Sequence, residues 1–365
     1  MAPAQYTVKR CSAILVLFTV LIMQGDIAGT DARRSAPEVY WGAYASGAPY
    51  GGIDAPWDMR SVTRFEANAH KRMSLLEWGQ AWWECSTTCG LRPFRADLMQ
   101  RVRRRGYIPV LSWDSKHERS GPDDPAFTLR AIISGRYDRF LRRWARGARR
   151  WGHPFFLRFD WEMNTNGVPY SEHANGNHPG EFVRMWRHVH QIFDAESVRN
   201  VTWVWCPNVD YADAVHPLRS LYPGDAYVDW TCLDGYNWGT NPSHVGGWHS
   251  FDETFRATYK LVTQQIAPTK PLMIGETASS EYGGAKAAWI TDGLTQQMPR
   301  HYPRVRALVW FNKNADGMDW IIESSPAAQA AFAAGIAAAL YATKNFAAIR
   351  GSPIRPPDRG RLSAH

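Results

Sequence analysis

Two glutamates in this 365-residue sequence close short apolar runs: Glu162 in Leu157-Arg158-Phe159-Asp160-Trp161-Glu162-Met163-Asn164, and Glu276 in Leu272-Met273-Ile274-Gly275-Glu276-Thr277. Either alone is as readily a structural ion pair. Together in one cleft, each shifts the other's pKa, so that one can hold a proton while the other stays ionised. That division of labour suits cleavage of a glycosidic bond, in which one carboxyl group protonates the leaving oxygen and the other attacks the anomeric carbon or activates water. Arg158 and Asp160 share strand parity with Glu162 and are expected to face inward as a buried pair supporting the site. Other chemistries lack their residues. There is no Gly-x-Ser-x-Gly elbow and no Gly-rich loop ending in Lys-Ser/Thr. The twelve histidines show no metalloprotease-like pairing, and His173 and His178 read as solvated or substrate-facing, so the sequence calls for no metal and no cofactor.

The elements that must position these residues form one repeated unit. Eight runs rich in β-branched, apolar or aromatic residues read as strands, at 39–44, 73–78, 108–113, 155–161, 201–206, 228–236, 272–276 and 305–311. Helical periodicity fills most of the gaps, as at Phe182/Met185/Val189/Phe193 and Phe255/Tyr259/Val262/Ile266. Alternating strands and helices force a parallel sheet, and eight such units close into a single (β/α)8 TIM barrel. The turn-rich stretches 45–54, 164–180, 238–247 and 312–317 follow strand C-terminal ends, where a barrel keeps its active site. The two glutamates then belong to the fourth and seventh strands.

Residues 1–32 read as a secretion signal: Lys9 and Arg10, an apolar run from Ala13 to Met23, then small residues around Ala28 to Ala32. The run is short of the ~20 residues that a spanning helix needs. Residues 33–345 are expected to be the catalytic domain, and 346–365, with Pro353, Pro356 and Pro357, a disordered tail. The expected product is exported, monomeric and free of the membrane. Four cysteines remain after removal of the signal. Cys85 and Cys89 suit a loop-closing disulfide, and Cys206 and Cys232, on neighbouring strands, are expected to be close, as a bridge or as buried thiols. The formal charge of +8 comes with no nucleic-acid-binding motif. Its main arginine run, from Arg136 to Arg150, alternates with Phe140, Leu141, Trp144 and Ala148 at helical spacing and reads as a solvated helix face. Aromatic residues make up 13%, more than a core of this size needs, so part of them is expected to contact a ligand such as carbohydrate.

The segment from Leu157 to Asn164, the run Tyr222-Pro223-Gly224-Asp225 with Val228-Asp229-Trp230, the stretch Asp234-Gly235-Tyr236-Asn237-Trp238, and Ile274-Gly275-Glu276 together resemble bacterial glycoside hydrolase family 26 and its β-mannanase-like relatives. The resemblance covers about residues 39–342. It implies a retaining double displacement on a polysaccharide or oligosaccharide, with Glu162 as acid/base, Glu276 as nucleophile, and carboxyl groups ~5 to 5.5 Å apart. It further implies Tyr236 as partner of the nucleophile and Trp310 as the platform under the sugar at the cleavage subsite. Trp161, Asn164, Trp113, Arg158, Trp238 and Trp41 complete the expected substrate-binding set. Two positions depart from the family: Trp161 stands where many members carry His before the acid/base, and Asp114 where many carry His after the third-strand Trp. The expected substrate is therefore β-mannan or a related β-glucan or xylan. A binding barrel without activity, or an enzyme on an acidic polysaccharide, are the rival readings.

Overall fold

The structure is a computed structural model that describes residues 1–2, 38–85, 87–209, 217–241, 247–343 and 349–357. Ala36–His365 forms one compact unit, and all but the first two residues of the expected signal lie outside the described residues. Among the described residues, no helix is long and apolar enough to cross a membrane.

Among the described residues, nine strands occur in chain order: β1 (Tyr40–Ala45), β2 (Leu75–Cys85), β3 (Cys89–Leu91), β4 (Ile108–His117), β5 (Phe155–Phe159), β6 (Val201–Trp205), β7 (Trp230–Asn237), β8 (Leu272–Ser279) and β9 (Val305–Asn312). All pair in parallel except β3, which folds back on β2, and β1 pairs with both β9 and β2. Eight parallel strands therefore close a (β/α)8 barrel, in which β5 and β8 are the fourth and seventh staves. The helices are α1 (Arg60–Ala69), α2 (Ala96–Arg104), α3 (Leu129–Ile133), α4 (Asp138–Trp151), α5 (Glu181–Ala195), α6 (Phe251–Leu261), α7 (Lys286–Asp292), α8 (Met298–His301) and α9 (Pro326–Ile336). Their ends are set by local chemistry. Ser250 and Glu253 form a capping box at the start of α6, and α4 stops where Gly152 turns left-handed, at φ 74°. Along α4, Phe140, Leu141, Trp144, Ala145 and Ala148 are buried, while Arg139, Arg143, Arg146, Arg149 and Arg150 face water.

Alternate residues of each strand feed two apolar cores. Tyr40, Leu75, Ile108, Val110, Phe156 and Trp230 point into the barrel, whereas Trp41, Leu76, Leu111, Trp113, Leu157 and Trp310 pack outward under the helices. Two disulfides are present among the described residues. Cys85–Cys89 closes the β2–β3 hairpin with Cα atoms 4.0 Å apart, and Cys206–Cys232 joins the β6 and β7 regions with Cα atoms 4.2 Å apart.

The C-terminal segment departs from the expected disorder where it is described. Residues 349–357 run as a strap beneath the barrel, with Ile354 1% exposed. Trp230 Nε1 donates to the Ile354 carbonyl (2.7 Å), Ser352 Oγ to the Val201 carbonyl (2.7 Å), Ile354 N to Thr202 Oγ1 (2.9 Å), and Tyr40 Oη to the Arg355 carbonyl (3.0 Å). Proline removes backbone donors but leaves carbonyls free to accept, and two of these four bonds end on strap carbonyls, those of Ile354 and Arg355.

Candidate active site

The inward face of the barrel turns from apolar to charged partway along its axis. Above the inner core sit Glu77 on β2, Ser112 on β4, Arg158 on β5 and Asp234 on β7, all nearly or fully buried. Arg158 joins them. Its Nη1 donates to Glu77, to Ser112 Oγ (3.0 Å) and to Glu276 Oε1 (3.0 Å), and its Nη2 donates to Asp234. A charge this deep is tolerable only if paired and hydrogen-bonded, and the guanidinium fork supplies several donors in one plane. One cation faces three carboxylates, so burial still pushes Glu77 up to about 7 and Asp234 well above its ordinary range, with Arg158 opposing both. Gly275 makes the assembly possible. A Cβ there would lie 2.4 Å from Cys232 Sγ, 2.8 Å from Asp234 Oδ1 and 3.0 Å from Arg158 Nε.

Glu276 stands on β8 with both carboxylate oxygens occupied. Besides Arg158 at Oε1, it accepts at Oε2 from the phenol of Tyr236, 2.5 Å away. Burial and the facing Glu276 raise the Tyr236 pKa, so the phenol keeps the proton that it donates. Glu162 is held differently. β5 ends at Phe159, and the backbone turns left-handed at Asp160 (φ 42°) and Glu162 (φ 56°), an uncommon conformation for residues with side chains. The Glu162 amide donates to the Cys206 carbonyl (2.7 Å), and its Oε1 accepts from Asn208 Nδ2 (2.6 Å). Burial first, and then the charge of Glu276, push the Glu162 carboxyl up to about 7.

One carboxylate oxygen from each of Glu162, Asp234 and Glu276 lies within 4.8 Å of the others. Such a cluster has the atoms for a cation site, but Arg158 already pairs with two of its members. The expected inward Arg158–Asp160 pair does not form. Where the chain leaves strand geometry at Asp160, that carboxylate turns to β4 instead and accepts from Ser115 N (2.7 Å) and Ser115 Oγ (2.8 Å).

The expected substrate-binding residues separate into two groups. Trp161 is half-buried on a cavity of about 610 Å³ that also includes Tyr44, Asp54, Asp114, Lys116 and Lys313. Trp238 packs on Tyr236, with ring centroids 5.9 Å apart. Asn164 is buried and clamps the backbone of Asn208, donating to its carbonyl (3.0 Å) and accepting from its amide (2.9 Å), so it supports the site without lining it. Trp41, Trp113 and Trp310 do not face the cleft. Trp41 and Trp310 lie against Phe332 of α9, and Trp113 stacks on Trp144 of α4 with centroids 4.4 Å apart. Phe311 lies between Tyr44 (5.2 Å) and Tyr236 (5.9 Å), and Asp114 meets Lys116 at 3.2 Å.

Sequence reasoning missed Glu77, Asn208, Tyr44 and Phe311, and quoted Asp234 without a role. Asp234 carried the best signal, being a lone carboxylate two residues before Tyr236 in a strand-like run.

Comparison with known proteins agrees with this geometry. Residues 146–278, which include both glutamates, match the sequence model of Glycosyl hydrolase family 26. Endoglucanase H of Acetivibrio thermocellus is 38% identical over 211 residues, 57% of this chain; the chain spans about a quarter of that relative's length, 23%. Among solved structures, the Bacillus subtilis mannanase BCman aligns with a TM-score of 0.57 at 15% identity, covering 85% of this chain and 88% of that one. A double mutant of the Cellulomonas fimi endo-beta-1,4-mannanase aligns with a TM-score of 0.59 at 17% identity, covering 89% and 76%. The structural likeness shows a shared barrel. The matched segment carries both carboxylates, and over those residues the chain is similar to glycosyl hydrolase family 26.

Proposed function

We propose that the protein is a secreted, retaining glycoside hydrolase that cleaves a β-linked polysaccharide, with Glu162 as acid/base and Glu276 as nucleophile. The observation that carries this reading is the approach of the two carboxylates, with oxygens within 4.8 Å. Inverting enzymes separate theirs by ~6.5 to 9.5 Å to admit a water molecule. In the first step the protonated Glu162 gives its proton to the glycosidic oxygen while Glu276 attacks the anomeric carbon, forming a glycosyl-enzyme ester and releasing the leaving sugar. In the second, Glu162 takes a proton from water as that water attacks the same carbon and frees Glu276. Arg158 and Tyr236 each donate to the nucleophile and hold it in place.

The cavity beside Trp161 supports a neutral glycan. Asp54, Glu84, Asp114 and Glu118 outnumber Lys116 and Lys313 along it, which disfavours an acidic polysaccharide. β-Glucan takes precedence over mannan, because the relative with appreciable sequence identity is described as an endoglucanase, whereas the mannanases share the fold at low identity. A non-catalytic binding barrel would have no need of two carboxylates converging this closely. Following product anomers by NMR during cleavage of mixed-linkage β-glucan, β-mannan and xylan tests the proposal. The β-anomer should appear first. An α-anomer appearing first refutes the mechanism, and binding without cleavage of any of them favours the binding barrel.

A further inference from the structure

Asn208 follows β6 and donates to Glu162 from Nδ2 to Oε1, at 2.6 Å. Its backbone has little freedom. Asn164 holds its amide and carbonyl, and a parallel bridge ties it to Asp234, with Val209 N donating to the Asp234 carbonyl at 2.8 Å. Its side-chain carbonyl, Oδ1, is buried and has no hydrogen-bond partner among the described residues. Buried polar atoms are nearly always partnered, so an orphan beside a reacting carboxyl group needs an explanation. The amide has two faces of opposite character, one donating and one accepting, and a half-turn about its last bond exchanges them. That turn breaks no bond made by Oδ1. Glu162 needs a donor when it is a carboxylate and an acceptor when it is a carboxylic acid, and the double displacement takes it through both states in every cycle.

We propose that Asn208 is a positioning residue that serves Glu162 in both protonation states, donating through Nδ2 to the carboxylate and accepting through Oδ1 from the acid. The inference rests on the acid/base role proposed above and deepens it. The charged and titratable groups facing Glu162 are Arg158 from β5, Asp234 and Tyr236 from β7, Glu276 from β8, Tyr170 from the loop before α5, and Asp316 from the loop after β9. Carboxylates predominate among them and favour the protonated form. Asn208 is the neutral partner that keeps the ionised form accessible for the second step. The charge-assisted N–H···O⁻ bond is the stronger of its two modes, so losing the amide favours the acid.

The test is a carboxyl titration of Glu162 in the intact protein by NMR with ¹³C-labelled glutamate, the signal assigned by its loss in Glu162→Gln. In Asn208→Ala the midpoint should rise by about half a unit. In Asn208→Asp, which replaces the donor with a further carboxylate, it should rise by more than about one unit. In the unmodified protein, the Asn208 side-chain NH₂ resonances should shift with the same midpoint as Glu162. An unchanged or lowered midpoint in Asn208→Ala, or NH₂ resonances that stay fixed through the Glu162 titration, overturns the proposal. The NH₂ measurement needs no variant, so a folding failure does not shelter the idea. None of these readouts needs turnover, so absence of activity on every β-glycan would count against the proposed function and leave this test standing. If the enzyme is active, the basic limb of kcat/KM should move upward in the same order, Asp beyond Ala.

Discussion

The ends of β5 and β8 present the same side chain in opposite settings. Glu276 stays in strand geometry, with a guanidinium on one oxygen and a phenol on the other. Glu162 has left the strand, sits on left-handed backbone and accepts a hydrogen bond from a neutral amide. Burial first, and then the neighbouring carboxylate, push Glu162 toward its protonated form. The proposed roles of nucleophile and acid follow from these different settings. The difference is built from backbone: the first stays on its strand, where β8 shifts register against β7 and β9, and the second has left its strand and reaches across to the end of β6.

The comparison breaks most visibly at Glu276. Glu276→Ala should lower turnover by more than ~10⁴-fold, because nothing else nearby can form the ester, and added azide or formate should restore part of it. If β-glycan cleavage persists in that variant, the assignment is wrong. Glu162→Ala should cost ~10² to 10⁴-fold on polysaccharide yet far less on activated aryl glycosides, whose leaving groups need no proton. Equal losses on both substrate types would remove the distinction between the two glutamates.

A third prediction sets the cleft against the outer core. Trp113→Ala should destabilise the fold by ~3 to 5 kcal/mol through the cavity left under α4, with KM unchanged in the folded fraction. Trp161→Ala should do the reverse, raising KM with little change in thermal midpoint. The smallest effect is in pH dependence. The Glu162 and Glu77 pKa values, at about 7, exceed the ordinary carboxyl value near 4.5, so the folded protein binds more protons than the unfolded chain between those pH values. Their contribution to stability is therefore fully present below about 4.5 and is lost as pH rises through about 7. The thermal midpoint should decline over that window, and Glu77→Gln should flatten the decline. A midpoint that climbs from pH 5 to 7.5 would contradict the sign.

The barrel and both glutamates were legible in the sequence because they depend on local signals: short apolar runs, intervening helical periods, and carboxylates at run ends. The side of the sheet each aromatic ring faces was not. Barrel strands are covered on both faces, so Leu308-Val309-Trp310-Phe311 shows no polar alternation from which to read a direction. Parity also fails where geometry changes, at Asp160 and at the register shifts between β8 and β9. The Arg158 network was legible only in part, since Glu77 and Asp234 come from strands distant in sequence and meet only once the barrel closes.

The proline-rich strap beneath the barrel ties the entry points of β1, β6 and β7 to one short peptide, and Arg306 of β9 reaches the Pro357 carbonyl as well. β1 and β9 are the first and last staves, so the strap spans the seam at which the ring was joined. It acts as a hoop: lateral opening of that seam and release of the chain's end become one event. Amide exchange at the N-terminal ends of these staves is therefore expected to quicken when that segment, which contributes no strand to them, is cut away.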